Sequence, residues 1–275
     1  MNTRKVESAD GTSLRVVVWE DLPSGARPRQ VLLVHGYAEH AGRYTHVGAA
    51  LNAAGYRVTF VELRGHGESA GQRGHVERWR RYVEDLWAAG ATIPDSYAIV
   101  AHSMGGLVAL DAVREAVRQP VLGLGLSNPL IALGFEPPKL KLKAANVLSR
   151  LLPRLNMPNE MDAKYISRDP EVVRRYIADP LVFDTITPRW VVEMRAATER
   201  VREAAPRQSH PLLMMVGESD QVTSPKAAIA LEERWGGPRL LKRYPKLYHE
   251  LFNEPEKTEV LGDLVSWLNN LPWEA

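Results

Sequence analysis

The stretch that most constrains this chain is "YAIVAHSMGGLVALDAVREAVR" (97–118). Its first part is a short, nearly all-apolar run, the pattern of a strand buried on both faces of a sheet. Its second part spaces apolar residues at a helical period. The strand pattern runs over 97–103 and the helical one begins at Met104, so the chain must turn from strand to helix at Ser103. The same rhythm appears on either side. Strands are expected over 14–20, 30–36, 56–63 and 121–128, and helices over 44–55, 76–92 and 104–118. Gly55 suits a helix C-terminus, and the 76–92 pattern puts Trp79, Tyr82, Val83 and Leu86 on one face. Strands alternating with helices imply a mostly parallel sheet flanked by helices.

The rhythm stops at Pro129. Three segments of helical period follow, "KAANVLSRLLPRL", "DPEVVRRYIADP" and "TPRWVVEMRAATERVREAA", punctuated by prolines. Strands resume with 211–217 and 239–245, with helices over 225–235 and 256–270. This order divides the chain into a first core part (1–128), a helical cap or lid (129–209) and a second core part (210–275). An insert of about 80 residues inside a compact domain is expected to be a folded lid rather than a structureless loop.

Composition removes whole classes of function. With 35 basic and 33 acidic side chains the formal charge is +2, too balanced for a nucleic-acid binder. The absence of cysteine excludes disulfides, thiolate metal sites and a thiol nucleophile, and fits a reducing compartment. "MNTRKVESADGTSLRV" has no apolar core of a signal peptide, and no run of about 18 apolar residues is present. The expectation is a cytoplasmic protein. Residues 130–209 carry 14 basic and ten acidic side chains, against a remainder that is slightly acidic. The segment "PKLKLKAANVLSRLLPRL" mixes three lysines and two arginines with six leucines. It can pack the cap onto the core or touch an anionic lipid surface, peripherally and transiently. Trp190 is a candidate for an exposed aromatic surface. The sequence sets no oligomeric state.

"AHSMGG" (101–106) departs from the serine turn G-x-S-x-G only at Ala101, one methyl larger than glycine. A serine at such a turn becomes a nucleophile when a histidine takes its proton and a carboxylate orients that histidine. Downstream of Ser103 stand two histidines. His210 precedes a strand and belongs at the opposite edge of the sheet; His249 follows one, on the edge where open α/β sheets bind ligands. "GESD" (217–220) places Glu218 and Asp220 after a strand on that edge, and Asp220, farther along the loop, is chosen over Glu218. The N–H groups of Met104 and of Tyr37, which follows His35-Gly36, would form the oxyanion hole.

Five segments carry a resemblance: "HGYAEHAGRY" (35–44), "ELRGHGESAGQRGHV" (62–76), "AHSMGG", "GESDQVTSP" (217–225) and "YHELFNEP" (248–255). Together they look like the monoacylglycerol lipase and lysophospholipase-like, or serine-aminopeptidase-like, group of α/β-hydrolases. The resemblance extends to "ISRDPEVVRRYIADPLVF" in the insert and so to nearly the whole chain. It implies an α/β-hydrolase fold with a helical cap inserted before the last two strands. It also implies a cofactor-free, metal-free serine hydrolase that cleaves small lipid esters, foremost monoacylglycerols. Ser103, Asp220 and His249 would be its triad, Tyr37 and Met104 its oxyanion donors. Glu39 and Arg43 would shape the polar end of the substrate site. The chain departs from the group at Ala101, at Tyr37 where smaller residues are common, and at Glu62 where aspartate is usual. Lysophospholipids and short-chain esters are the nearest alternative substrates; an aminopeptidase, or a silent binding protein on the same fold, are more distant ones.

"GHGESA" (65–70) matches a loose dinucleotide pattern, but "GQRG" after it is a poor helix start, so a glycine-rich bend is expected instead. His102, beside the serine, reads as a packing or hydrogen-bonding residue.

Overall fold

In a computed structural model, which describes residues 1–20, 22, 29–114 and 120–273, the strands run in the expected order. They are β1 (Asn2–Glu7), β2 (Ser13–Trp19), β3 (Arg29–Val34), β4 (Tyr56–Val61), β5 (Tyr97–His102) and β6 (Val121–Ser127). Then come β7 (Met157–Pro158), β8 (Thr185–Ile186), β9 (Leu212–Gly217) and β10 (Arg239–Tyr244). The helices are α1 (Thr45–Ala53), α2 (Arg80–Gly90), α3 (Met104–Val113), α4 (Lys139–Leu151), α5 (Pro170–Ala178), α6 (Pro188–Ala204), α7 (Pro225–Glu233) and α8 (Lys257–Asn269). Eight strands form one sheet in the order β1-β2-β4-β3-β5-β6-β9-β10, parallel from β4 to β10. β1 and β2 join it antiparallel.

Strand alternation sorts the core into two layers. Leu32 and Val34 of β3, Ile99 and Ala101 of β5, and Leu212 and Met214 of β9 face the layer under α2, α3, α6 and α7. Val31, Leu33, Ala98, Val100, Leu213 and Met215 face α1 and α8 on the other side. Strands buried on both faces read as apolar runs, which is why the central ones were legible. β1 was not: "NTRKVE" is almost wholly exposed at the sheet's edge, where charged side chains deter pairing with another chain.

All three helices expected in the insert form, as α4, α5 and α6, between β6 and β9. β7 and β8 add a small antiparallel pair there that the sequence pattern did not announce. Trp190 is a correction. It lies inward on α6 and is 3% exposed, packed with Met194, Ala197 and Val201 in the main core layer. The large apolar side chains that remain exposed in the insert are mostly aliphatic: Leu140, Val147, Leu151, Leu152 and Leu155, with Phe135 and Ile177. The helix expected from 76 begins at Arg80, and just before it Trp79 gives its N–H to Glu193 of α6. The end of the helix expected over 104–118 falls on residues 115–119, outside the described residues. Among the described residues, no helix is long and apolar enough to cross a membrane.

Candidate active site

β5 delivers Ser103 into a backbone conformation with φ 50° and ψ −116°. A non-glycine residue seldom adopts a positive φ, which costs on the order of 1–3 kcal/mol. Three hydrogen bonds hold the turn: Ser103 N–H to Ser127 O (3.0 Å), and to Ser103 O from the N–H groups of Leu130 (2.9 Å) and Leu107 (3.3 Å). The small residues are needed for approach. A β-carbon on Gly105 would stand 2.4 Å from His35 O, and one on Gly106 2.7 Å from the Pro129 side chain. At Ala101 the core accepts the extra methyl, fully buried.

The strand ends bring three distant residues together. His249 Nε2 lies 3.0 Å from Ser103 Oγ, and His249 Nδ1 lies 2.8 Å from Asp220 Oδ2. A carboxylate at Nδ1 fixes the tautomer, so Nε2 faces the serine as an acceptor. Asp220 also accepts the N–H groups of Val222 (2.7 Å) and Thr223 (3.1 Å) and the Thr223 hydroxyl (2.6 Å). Burial opposes its charge, yet the adjacent imidazole and these donors hold the carboxyl below its usual range. Burial likewise pushes His249 down, but Asp220, with Glu250 and Glu39 beyond it, raises it above 6.5.

Facing the serine is the turn after β3. A β-carbon on Gly36 would meet Glu39 Oε1 at 2.7 Å, His102 at 3.0 Å and Ser103 Cβ at 3.1 Å, so only glycine lets the turn lie this close. Gly36 N–H is taken by Glu39 Oε1 (2.6 Å), which leaves the next N–H, that of Tyr37, as the turn's spare donor. Among the described residues no group accepts the N–H of Tyr37 or of Met104. Ser103 and His249 stand on the wall of a cavity of about 530 Å³. Leu130 and Leu133 line it from the start of the insert, Leu142 and Leu148 from α4, and Val191 and Met194 from α6. The space is largely apolar, with the Ser103–His249 pair on its wall.

A family model described as serine aminopeptidase, S33, matches residues 26–256. The chain belongs to the serine aminopeptidase S33 family. It is 34% identical to a monoacylglycerol lipase of Mycolicibacterium smegmatis, over 97% of this chain and 98% of that one. It is 30% identical to the monoglyceride lipase of Rattus norvegicus, over 96% of this chain and 89% of that one. The crystal structure of Paleococcus ferrophilus monoacylglycerol lipase superposes with a TM-score of 0.85 at 31% identity, covering 93% of this chain and 98% of that one. This S33 member is thus a serine hydrolase on the α/β-hydrolase fold.

The other expected site residues of this S33 chain fall differently. Glu39 lines the cavity; Arg43 does not. The Arg43 guanidinium is committed to Glu39 Oε2 (2.9 Å) and, with two parallel bonds, to Glu250 (2.6 and 2.7 Å). It lies 4.6 Å from the Tyr176 ring centroid. It therefore acts from behind the wall, tying the Gly36 turn to the loop that carries His249. Glu218 bonds Arg243 (2.6 Å) on the surface and leaves the approach to His249 to Asp220. His210 precedes β9, away from the ends that carry the site. His102 is buried, held to a neutral form with its pKa pushed down to about 3, and bonds Ser127. The "GHGESA" bend wraps Glu62, whose carboxylate takes the N–H groups of Ala41 (3.0 Å) and Glu68 (2.7 Å). No helix starts there.

Asn128 was missed. Its Nδ2 donates to the carbonyls of Tyr248 (3.0 Å) and His249 (2.8 Å), while its Oδ1 accepts Gly217 N–H (2.8 Å). One side chain thus fastens the histidine loop to the end of β9. Its place directly after the buried strand β6 was the available signal.

Proposed function

We propose that this protein hydrolyses monoacylglycerols to glycerol and fatty acid through an acyl-enzyme on Ser103. The observation that carries the reading is the Ser103–His249–Asp220 relay, whose serine and histidine stand on the wall of a largely apolar cavity. The names of its relatives point to the same substrate class. The ester's chain enters the apolar space and its carbonyl carbon meets Ser103 Oγ. As the Oγ–C bond forms, the hydroxyl proton passes to His249 Nε2, and the carbonyl oxygen takes the negative charge. Asp220 stabilises the imidazolium that results. The N–H groups of Tyr37 and Met104 receive the oxyanion; losing one such donor typically costs roughly 10²–10³ in turnover. The C–O bond to glycerol then breaks, and His249 gives its proton to the departing oxygen. Water attacks the acyl-enzyme with the same base, freeing the fatty acid and restoring Ser103.

In this reading residues 129–209 act as the cap over a core of 1–128 and 210–275. The exposed leucines of α4 and its C-terminal extension, among Lys139, Lys143, Arg150 and Arg154, form a face suited to brief contact with anionic membranes. A cytoplasmic enzyme that visits membrane surfaces fits that face.

Competitive hydrolysis tests the proposal. Monoacylglycerols of several chain lengths would be set against lysophosphatidylcholine, triacylglycerol, p-nitrophenyl butyrate and an aminoacyl anilide. Preference for monoacylglycerols is expected, with Ser103→Ala lowering turnover by about 10⁴–10⁶. Activity confined to the small ester or the anilide would discard the substrate assignment and keep the relay.

A further inference from the structure

Tyr37 has two ends with different attachments. Its backbone N–H sits on the turn against Ser103, while its side chain leaves the core and enters the cap. The phenol donates to Thr185 O of β8 (2.5 Å). The ring lies 4.5 Å from the Trp190 ring and 5.4 Å from that of Phe183, centroid to centroid, and 5.8 Å from that of His66. Burial keeps the phenol protonated far beyond its usual range, so it remains a donor. The joint is closed from the core side as well. Thr187, just after β8, gives its N–H and hydroxyl to Gly74 O (2.9 and 3.0 Å). A β-carbon on Gly74 would stand 2.3 Å from Thr185 O and 2.9 Å from the Tyr37 hydroxyl, so only glycine admits the contact.

We propose that the Tyr37 side chain is a positioning group that fastens the oxyanion turn to the cap, so that the cap's placement sets the donor's placement. The inference rests on the serine-hydrolase reading of Ser103 given above. The core holds the near side of the turn: Glu39 takes Gly36 N–H, and His35 Nδ1 bonds Gly36 O (2.6 Å), the carbonyl of the peptide unit that carries the donor. Tyr37 itself is anchored by residues 183–190. When these residues hold their positions, the N–H is aimed at the developing oxyanion; when they shift, the aim shifts with them. A displacement of about 1 Å in such a group can cost up to about 10² in rate. Phe183 separates this joint from substrate binding, because it packs on Tyr37 but does not line the cavity.

The test uses p-nitrophenyl acetate, too short to fill the apolar space, with active sites counted by a fluorophosphonate. Tyr37→Phe keeps the ring and the N–H and removes only the bond to Thr185. It should lower kcat per active site about threefold to tenfold with KM nearly unchanged. Phe183→Ala should do the same from the cap side, and Tyr37→Ala should lose more, about 50-fold. Affinity for an alkyl boronate, a tetrahedral mimic, should fall in step with kcat in each variant, as expected when only the transition state loses a contact. A merely structural role would reduce the count of active sites and leave both quantities per site intact. Wild-type kcat and boronate affinity in Tyr37→Phe and Phe183→Ala would overturn the proposal. Full turnover in Ser103→Ala would overturn the reading of the site, and this joint with it.

Discussion

The two longest helices of the insert border the same cavity and are held in opposite ways. α6 turns Trp190, Met194, Ala197 and Val201 into the main core layer, starts at a Thr187 cap that accepts Trp190 N–H, and gives Arg202 to Ile131 O. α4 buries only Ala145 and Ser149. Leu140 is 78% exposed and Leu151 72%, and Lys141 pairs with Glu160, another residue of the insert. The lesson is that an insert read as one cap from sequence contains two kinds of structure. α6 is an extension of the core, with the precision a reactive site needs. α4 is a wall that the core scarcely fixes.

The largest expected effect breaks α6. Trp190→Ala removes a buried indole that also touches Tyr37 and Trp79, and should cost about 3–5 kcal/mol. In a chain of this size that lowers Tm by roughly 10 °C. A Tm within a degree of wild type would place α6 in the same class as α4. Next comes the site that α6 borders. Asn128→Ala strips two carbonyls and one buried N–H of their partner, a loss of about 1–3 kcal/mol. Because His249 is displaced with its loop, kcat should fall more than 1/KM. Equal changes in both would assign Asn128 to stability alone.

Residues anchored to strand ends were legible in the sequence because a strand fixes where its last residue points. Ser103, Asp220 and His249 each follow a strand, and each emerges at the same edge. Helical period also sufficed to find α4, α5 and α6. What could not be read were pairings between distant segments. The bonds from Asn128 to the His249 loop, from Arg43 to Glu250 and from Tyr37 to Thr185 leave no local pattern. The face Trp190 presents was misjudged for the same reason, since a helix's period says which residues share a side but not what lies opposite. Arg43, expected at the substrate, is drawn off by two carboxylates that only the fold brings near it.

Acidification should act outside α4, which carries no histidine. Burial lowers the pKa of His35, His66 and His102, so the folded chain holds them neutral. Below about pH 6.5 the unfolded chain binds protons that the folded one refuses, and stability falls. His249 runs the other way: its raised value contributes stability that is full below pH 6.5 and is lost as pH rises through the folded value. Burial lowers His46, His75 and His210 as well, so six groups oppose one and Tm should decline between pH 7 and pH 5. Over the same range kcat/KM should fall along a limb with its midpoint above 6.5, because the serine needs neutral His249. A midpoint well below 6.5 would contradict the influence of Asp220 and Glu250 on that imidazole.

The smallest effect on stability, and the sharpest contrast with Trp190, is expected at the outer face of α4. Leu140→Ser and Leu151→Ser alter side chains already in solvent, so each should change stability by no more than about 0.5 kcal/mol. Hydrolysis of p-nitrophenyl butyrate, which needs no membrane, should be unchanged. Sedimentation with anionic vesicles should nonetheless weaken by about tenfold per leucine, the worth of roughly 1.4 kcal/mol of apolar burial at a bilayer surface. Unchanged sedimentation would leave α4 as a wall without a membrane role. A Tm drop approaching that of Trp190→Ala would show that the core grips α4 as firmly as α6, and the contrast between the two helices would be gone.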